Sequence, residues 1–357
     1  MIGKKERDFS LDVLRVLACF LVILLHVGVF YYQTKDDSNH VVIVRDSSAY
    51  VVGYMVSWCR TSVPLFFLMS GYLLLPVKMS LGDFFHRRFS RILYPFLVWC
   101  VAYAVGYAVI KGSSLTQFLT NIMMIPVDYG TRIGHLWYVY TLSGLYLLAP
   151  IISPWLENVS KKVLQAYLGF WFISTFVPYA HHFWPSIWGE TFWNENPMHY
   201  YFSGFIGYFV LGFYFKKYGA PSLKYSLPMF IAGYAVTAYL FNMRIPTATS
   251  VPDLELGWLP CTPNVAIMTI GLFGLVRSVN WNGKGLFGRI VSEFAAKSYA
   301  VFMVHMMVVR GIMLVAGSYI SSAIVGILAY SAISILISYI VVVILARLPK
   351  SNKWLGA

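Results

Sequence analysis

This 357-residue chain has unusually few charged residues: Asp, Glu, Lys and Arg together make up only 11% of it. Soluble domains carry about 25% charged residues, so the composition excludes an ordinary soluble domain. Hydrophobic residues make up 59%, and the mean hydropathy is +0.67. Long apolar runs recur from end to end, without a fixed-period repeat or a low-complexity linker. We therefore expect one polytopic membrane domain over residues 1–357, with no appended soluble domain.

Motifs for several kinds of chemistry are also missing. The sequence contains no GxSxG, HExxH or GxxxxGK[ST] segment, which argues against a serine hydrolase, a zinc protease and a P-loop nucleotide hydrolase. Its four cysteines lie in or beside apolar runs, without the spacing of metal ligands, and we interpret them as small buried hydrophobes. We therefore expect neither a metal ion nor a permanently bound cofactor.

Acidic residues are scarcer than basic ones, 14 against 27, and the formal net charge is +13. The surplus follows the membrane topology rather than a nucleic-acid surface. Most Lys and Arg residues fall before the first apolar segment and in alternate loops, so the positive-inside rule places both termini in the cytoplasm. We expect an all-α integral membrane protein of about ten transmembrane helices, at about 11–31, 50–75, 92–111, 134–155, 163–180, 200–215, 226–242, 261–279, 299–317 and 322–346.

Two ionisable residues, Arg15 and His26, lie inside the first apolar segment. Their separation of eleven residues corresponds to roughly 16 Å and about three full turns of a helix, so both side chains project from one face. Ionisable groups within a membrane are costly and usually face a polar cavity. The pair therefore predicts a helix that lines a path through the membrane.

A basic, aromatic stretch follows the second segment, KMSLGDFFHRRFSRILYP. Arg87, Arg88 and Arg91 cluster there among phenylalanines. One interpretation is an interfacial anchor that binds membrane lipid. The other is a cytoplasmic site for a phosphorylated ligand, because guanidinium groups suit phosphates.

Further candidates each have a structural interpretation beside the functional one. Arg60, in the second segment, needs a partner or water and could line the cavity of His26, whereas Ser70 fits helix packing. His135 begins the fourth segment, where aromatic anchors are common. Tyr299 and His305 are six residues apart on the ninth segment, on divergent faces, and need not share one cavity.

The loop before the sixth segment places His181, His182, Glu190 and Glu195 among tryptophans. Aromatic faces with carboxylates and amides suit a sugar-binding surface, but they also suit an aromatic belt at the membrane interface.

Taken in order, five segments resemble the membrane-bound acyltransferase-3 family. RDFSLDVLRVLACFLVILLH is similar to its first span, with the Arg-x10-His signature at Arg15 and His26. SVPLFFLMSGYLLL, FFHRRFSRILYP, GHLWYVYTLSGLYLLAP and SYAVFMVH resemble four further elements. The HLW and SVPLFF segments look most like the branch that includes the enterobacterial common antigen O-acetyltransferase.

The resemblance implies an O-acyltransferase of the bacterial inner membrane, which moves an acetyl group from cytoplasmic acetyl-CoA, a co-substrate, to a surface polysaccharide or lipid-linked glycan. It implies catalysis by His26 and Arg15, either directly or through an acyl-histidine. Donor binding falls on Arg87, Arg88 and Arg91. The supporting residues are Arg60, Ser70, His135, Tyr299 and His305. Intramembrane Arg and His would also suit a proton-coupled transporter of a small anion or sugar, and a membrane scaffold is a third possibility.

Overall fold

The structure, a computed structural model, describes residues 8–185 and 202–356. The predicted loop residues Glu190 and Glu195, and the basic residues Lys4, Lys5 and Arg7, lie outside the described residues.

Helices account for most of the described chain. In order they are α1 (Phe9–Tyr32), α2 (Ser47–Val56), α3 (Ser62–Leu74), α4 (Leu81–Lys111), α5 (Leu115–Met123), α6 (Tyr129–Ile133), α7 (Trp137–Asn158), α8 (Lys161–Ser174), α9 (Val177–Phe183), α10 (Phe205–Tyr218), α11 (Leu223–Arg244), α12 (Val251–Leu254), α13 (Pro263–Ser278), α14 (Gly285–Ala316), α15 (Ala323–Leu345) and α16 (Ser351–Trp354). A short 3-10 segment, Ser57–Thr61, joins α2 to α3. A second one, Glu255–Trp258, follows α12. Strands β1 (Gln33–Lys35) and β2 (Val41–Ile43) form an antiparallel pair after α1.

Within the described ranges, seven helical segments are long and apolar enough to cross a membrane: α1, α2 with α3, α4, α7, α8 with α9, α14 and α15. An eighth arises if the segments Val251–Trp258 and Pro263–Ser278, which meet at a 44° bend, form one broken span. This confirms an all-α membrane protein, but it does not confirm ten spans.

The structure has fewer candidate spans than the expected ten mainly because α10 and α11 are not among them. All ten predicted apolar segments coincide with helices, but α10 has only 14 residues, fewer than the roughly 20 that cross a bilayer. The 22-residue α11 is long enough, but it does not reach the apolarity of a membrane span. A sequence window detects the apolar character of such segments, but it does not measure how much of each becomes a continuous helix.

Local sequence explains where the long helix α4 begins and ends. Ser80 is its N-cap, and the Ser80 Oγ accepts a hydrogen bond from the Asp83 backbone N–H at 3.2 Å. Gly112 ends the helix in the left-handed region, at φ 61°, where glycine avoids the strain of a side chain. The Arg87–Arg91 stretch is therefore the first part of a helix that continues through the membrane.

Helix α1 lies at the centre of the packing and contacts α2, α3, α13, α14 and α15. It presents a fully buried row that includes Leu14, Leu21 and Val27. Because α1 also carries Arg15 and His26, its neighbours form the surroundings of both side chains. The fold therefore brings α14 alongside the helix with the in-register pair.

Helices α3 and α10 approach each other closely through two glycines. A Cβ atom at Gly71 would clash with the backbone carbonyl of Phe209, and one at Gly212 would clash with that of Leu68. Small residues at such positions let helix backbones pack tightly within membranes. Ser70 and Gly71 thus occupy a packing seam, although Ser70 also faces a cavity described below.

Candidate functional site

Three histidines from separate parts of the chain form a cluster. His26 lies on α1, His135 in the turn between α6 and α7, and His305 on α14. The ring centroids are 5.3 Å apart for His26 and His305, 4.8 Å for His135 and His305, and 6.4 Å for His26 and His135. His135 and His305 are buried, at 3% and 0% exposure, whereas His26 is only partly buried. His135 is therefore an internal residue and not an exposed aromatic anchor.

Hydrogen bonds orient the two buried rings. The His305 Nδ1 lies 2.6 Å from the Phe302 carbonyl oxygen, and the His135 Nε2 lies 3.3 Å from the Met303 carbonyl oxygen. A carbonyl can only accept, so these nitrogens carry the protons. The other nitrogens, Nε2 of His305 and Nδ1 of His135, are buried and have no hydrogen-bond partner among the described residues. In the neutral rings, both unpartnered nitrogens are potential proton acceptors.

The cluster does not have the arrangement of a metal site. Within residues 8–185 and 202–356, no group of three or more His, Cys, Asp or Glu side chains could hold a metal ion. The cluster instead offers two buried ring nitrogens as potential proton acceptors, Nε2 of His305 and Nδ1 of His135.

The turn that carries His135 is held by Arg310, five residues beyond His305 on α14. The Arg310 guanidinium donates hydrogen bonds to the Tyr107 hydroxyl and, at 3.0 Å, to the Ile133 carbonyl oxygen. Charged groups within a membrane pair with polar groups such as backbone carbonyls, and here the carbonyl belongs to the last residue of α6, at the break between α6 and α7. Arg310 thus keeps the turn of His135 against α14.

A cavity of about 530 Å³ extends from the arginines of α1 and α4 towards this cluster. Its polar and aromatic lining residues are Arg15, Ser70, Arg88, Arg91, Tyr138, Tyr146, Ser298, Tyr299, Phe66 and Phe302. Ligand pockets are typically about 300–1,000 Å³, so the cavity has the size of a small-molecule site.

Phe302 connects the cavity with the histidine cluster. Its side chain lines the cavity, and its ring lies 5.5 Å from the rings of both His135 and His305. Phe302 is 5% exposed. Phe302 therefore borders both the cavity and the histidine cluster, a position that no motif in the sequence distinguishes.

The basic residues of the sequence analysis separate into two groups. Arg15, Arg88 and Arg91 line the cavity, and the Arg15 Nη1 also pairs with the Asp12 carboxylate at 3.0 Å. Arg87 is exposed and is not among the residues that line it. The helical geometry of α4 therefore directs two of the three clustered arginines to the cavity.

Arg60 belongs to a different polar group, near the other end of α1. It forms an ion pair with Glu255 at 3.2 Å and lies 4.2 Å above the Trp258 ring. The Tyr32 hydroxyl and the Gln33 amide also donate hydrogen bonds to Glu255. The charge of Arg60 is thus balanced by an acid in the 3-10 segment after α12, which spacing in the sequence does not reveal.

Ser70 and Tyr299 line the cavity, but both hydroxyl groups already donate hydrogen bonds. The Ser70 Oγ donates to the Phe66 carbonyl oxygen at 2.8 Å, and the Tyr299 hydroxyl donates to that of Ile92 at 2.9 Å. Each hydroxyl oxygen can still accept a hydrogen bond from a ligand.

An ion pair links Asp8, just before α1, to Arg277 in the last turn of α13. The Arg277 Nη1 lies 2.5 Å from the Asp8 carboxylate and 2.5 Å from the Ser10 hydroxyl. Partial burial raises the pKa of Asp8, but hydrogen bonds from Ser10 and Arg277, with the positive charge of Arg277, together hold this pKa below its usual value. The Arg277 Nη2 also donates to the Tyr72 hydroxyl at 3.2 Å, which joins α1, α3 and α13 at this end.

Comparison with known proteins gives one positive result. No curated protein and no solved structure matches the chain. A family model described as an acyltransferase domain matches residues 8–343, nearly the whole chain. That match includes all three clustered histidines and every described residue of the cavity lining except Gly356. The chain therefore belongs to the acyltransferase-3 family of membrane acyltransferases.

Proposed function

We propose that this protein transfers an acetyl group from acetyl-CoA to a hydroxyl group of a cell-surface glycan or lipid-linked sugar, with His26 as the general base. One observation carries most of the proposal. In a chain with an acyltransferase domain, Phe302 lines the same cavity as Arg15, Arg88 and Arg91, and its ring packs against the histidine cluster.

The donor would enter from the end of the cavity that carries the arginines. We take this as the cytoplasmic end, where acyl-CoA is available, because the positive-inside distribution of Lys and Arg predicts that orientation. Arg88 and Arg91 would bind phosphate oxygens through charge-assisted hydrogen bonds. The pantetheine arm would then lie along α14 between Tyr299 and Phe302, with the thioester nearest the histidines.

We assign the base to His26 because it is the one residue of the three histidines that is only partly buried. His305 and His135 pack beside it, and hydrogen bonds to backbone carbonyl oxygens fix the orientation of these two rings. We assign these two as positioning residues. The Phe302 ring would have to turn away for the thioester to reach His26.

The proposed reaction transfers one acyl group and returns the base to its starting state. The acceptor hydroxyl oxygen attacks the thioester carbonyl carbon while His26 takes the hydroxyl proton. When the tetrahedral intermediate collapses, the new C–O bond remains and the C–S bond breaks. The thiolate then takes the proton from His26, so the products are an acetyl ester and the CoA thiol.

The negative charge of the tetrahedral intermediate needs hydrogen-bond donors. Ser70 and Tyr299 line the cavity, and each would have to exchange its backbone acceptor for the intermediate. Arg60 is held by Glu255, so we assign it a role in holding the far end of α1.

The acceptor and the location follow from the family and not from the cavity. We propose a bacterial inner-membrane enzyme that modifies a surface polysaccharide or a lipid-linked precursor. The HLW and SVPLFF segments favour the branch of the enterobacterial common antigen O-acetyltransferase.

Mass spectrometry of surface glycans from cells with and without the gene tests the proposal. We expect loss of a mass equal to one acetyl group per modified sugar, and its return when the gene is restored. Unchanged glycans, together with uptake of a sugar or small anion into vesicles that contain the protein but no acyl-CoA, would support a transporter instead.

A further inference from the structure

A second cavity of about 350 Å³ lies directly beside the first. Both are lined by Leu73, Leu74 and Arg88. The second one adds Lys78 and Lys216, and we call it the basic annex. The two spaces therefore adjoin, with Arg88 where they meet.

The charge of the combined lining has one sign. Lys78, Lys216 and Arg88 line the basic annex, and Arg15 and Arg91 line the first cavity. Among the described residues, no Asp or Glu lines either space. Asp12 balances Arg15, but the linings still present a concentration of positive charge that favours a polyanion.

The fold places Lys216 at the annex through the tight seam between α3 and α10. Lys216 follows Gly212 by about one helical turn, and its Nζ donates a hydrogen bond to the Leu75 carbonyl oxygen at 2.8 Å. The next part of the loop is held by a 2.8 Å hydrogen bond from the Val77 backbone N–H to the Ser153 Oγ. The lysine and the loop are thus fixed beside the cavity by backbone packing.

Arg88 supplies a further observation that points to a ligand. Its Nε atom is buried and has no hydrogen-bond partner among the described residues. A buried guanidinium nitrogen without an acceptor is costly, and a phosphate oxygen would satisfy it.

We propose that the basic annex binds the phosphate groups of the CoA nucleotide, with Lys78 and Lys216 as donor-binding residues beside Arg88. This inference rests on the proposed acyl-CoA dependence. The adenosine 3′-phosphate occupies the annex beside Lys78 and Lys216. The diphosphate lies where the two spaces adjoin, within reach of Arg88 and Arg91, and the uncharged pantetheine arm continues through the first cavity as far as Phe302. The two adjoining volumes are about 350 and 530 Å³.

Binding measurements on the full chain in nanodiscs test the annex with two probes, acetyl-CoA and S-acetylpantetheine, which lacks the nucleotide and its phosphates. We expect Lys216→Met and Lys78→Met each to weaken acetyl-CoA binding about fivefold, with S-acetylpantetheine unaffected. Lys216→Arg should restore most of the affinity for acetyl-CoA. Lys217→Met is the matched control because Lys217 is the next residue, is exposed and lines neither cavity. It should change neither affinity.

Lipid phosphates are the other source of the same chemistry, so the measurements are made in nanodiscs with and without anionic lipid. The lysine effect on acetyl-CoA should persist in purely zwitterionic lipid. Equal weakening of both probes, or unchanged acetyl-CoA binding in both lysine variants, overturns the annex proposal alone. Failure of the unaltered protein to bind acetyl-CoA overturns the proposed donor as well.

Discussion

Replacing His26 with alanine is expected to abolish most acyl transfer while leaving the protein folded and inserted. General-base assistance contributes roughly 10²–10⁴-fold to such reactions, so the turnover number should fall at least about 100-fold. Release of the CoA thiol in the presence of acceptor glycan measures the loss. Donor binding should change little, because the arginines proposed to bind phosphate line the cavity and His26 does not.

A matched control for this variant is His40→Ala. His40 is exposed in the turn between β1 and β2 and lies in neither cavity. Its replacement should leave transfer at the wild-type rate. Near-normal transfer by His26→Ala, with inactivity of His305→Ala, would contradict the assignment of His26 as the base and would favour His305 instead.

The second large effect is expected at Arg88. Replacing it with methionine removes the guanidinium from the point where the two cavities meet. Hydrogen bonds to charged groups contribute about 1.5–3 kcal/mol, so the KM for acetyl-CoA should rise about 10- to 100-fold. The turnover number should change much less, because the contact is made equally in the ground state and the transition state. Initial rates at varied donor concentration measure both quantities.

Arg87→Met provides the comparison for Arg88→Met, since the two residues are adjacent and carry the same charge. Arg87 is exposed and lines neither cavity, so its KM effect should be about threefold or less, the size of a solvent-screened interaction. Equal effects of both variants would favour a general lipid anchor over a specific donor site.

The sequence could relate two residues of the candidate site to each other because both lie on α1. Arg15 and His26 are eleven residues apart, and regular helix geometry relates residues on a single helix. Residues that only tertiary packing brings together could not be paired from the sequence. Glu255 neutralises Arg60 from more than 190 residues away along the chain, and no local pattern predicts that pairing.

The histidine cluster illustrates the same limit. His135 lies in the turn between α6 and α7, and His305 lies in the middle of α14, so their proximity depends on how α6, α7 and α14 pack. The sequence indicates each as a candidate without placing them together. Phe302, by contrast, was not a candidate at all. It borders both the cavity and the cluster, but an aromatic residue in an apolar span has no sequence feature that sets it apart.

The predicted fold class was correct for a physical reason, because apolar composition alone separates membrane helices from soluble ones. The number of membrane spans was harder to predict from the sequence. The 3-10 segment Ser57–Thr61 lies within the second predicted span, and a 44° bend precedes α13. Such breaks depend on neighbouring helices that satisfy the backbone within the membrane.

The most direct test of the account is a cryo-EM structure of the protein with a non-transferable acetyl-CoA analogue in which a methylene group replaces the thioester sulfur. We predict phosphate density at Arg88 and Lys216, with the acyl carbonyl past Phe302 and beside His26, about 3–4 Å from its ring. Donor density outside the two cavities, or an acyl group at the opposite end from the histidine cluster, would contradict the central claim that this cavity delivers the acyl group to His26.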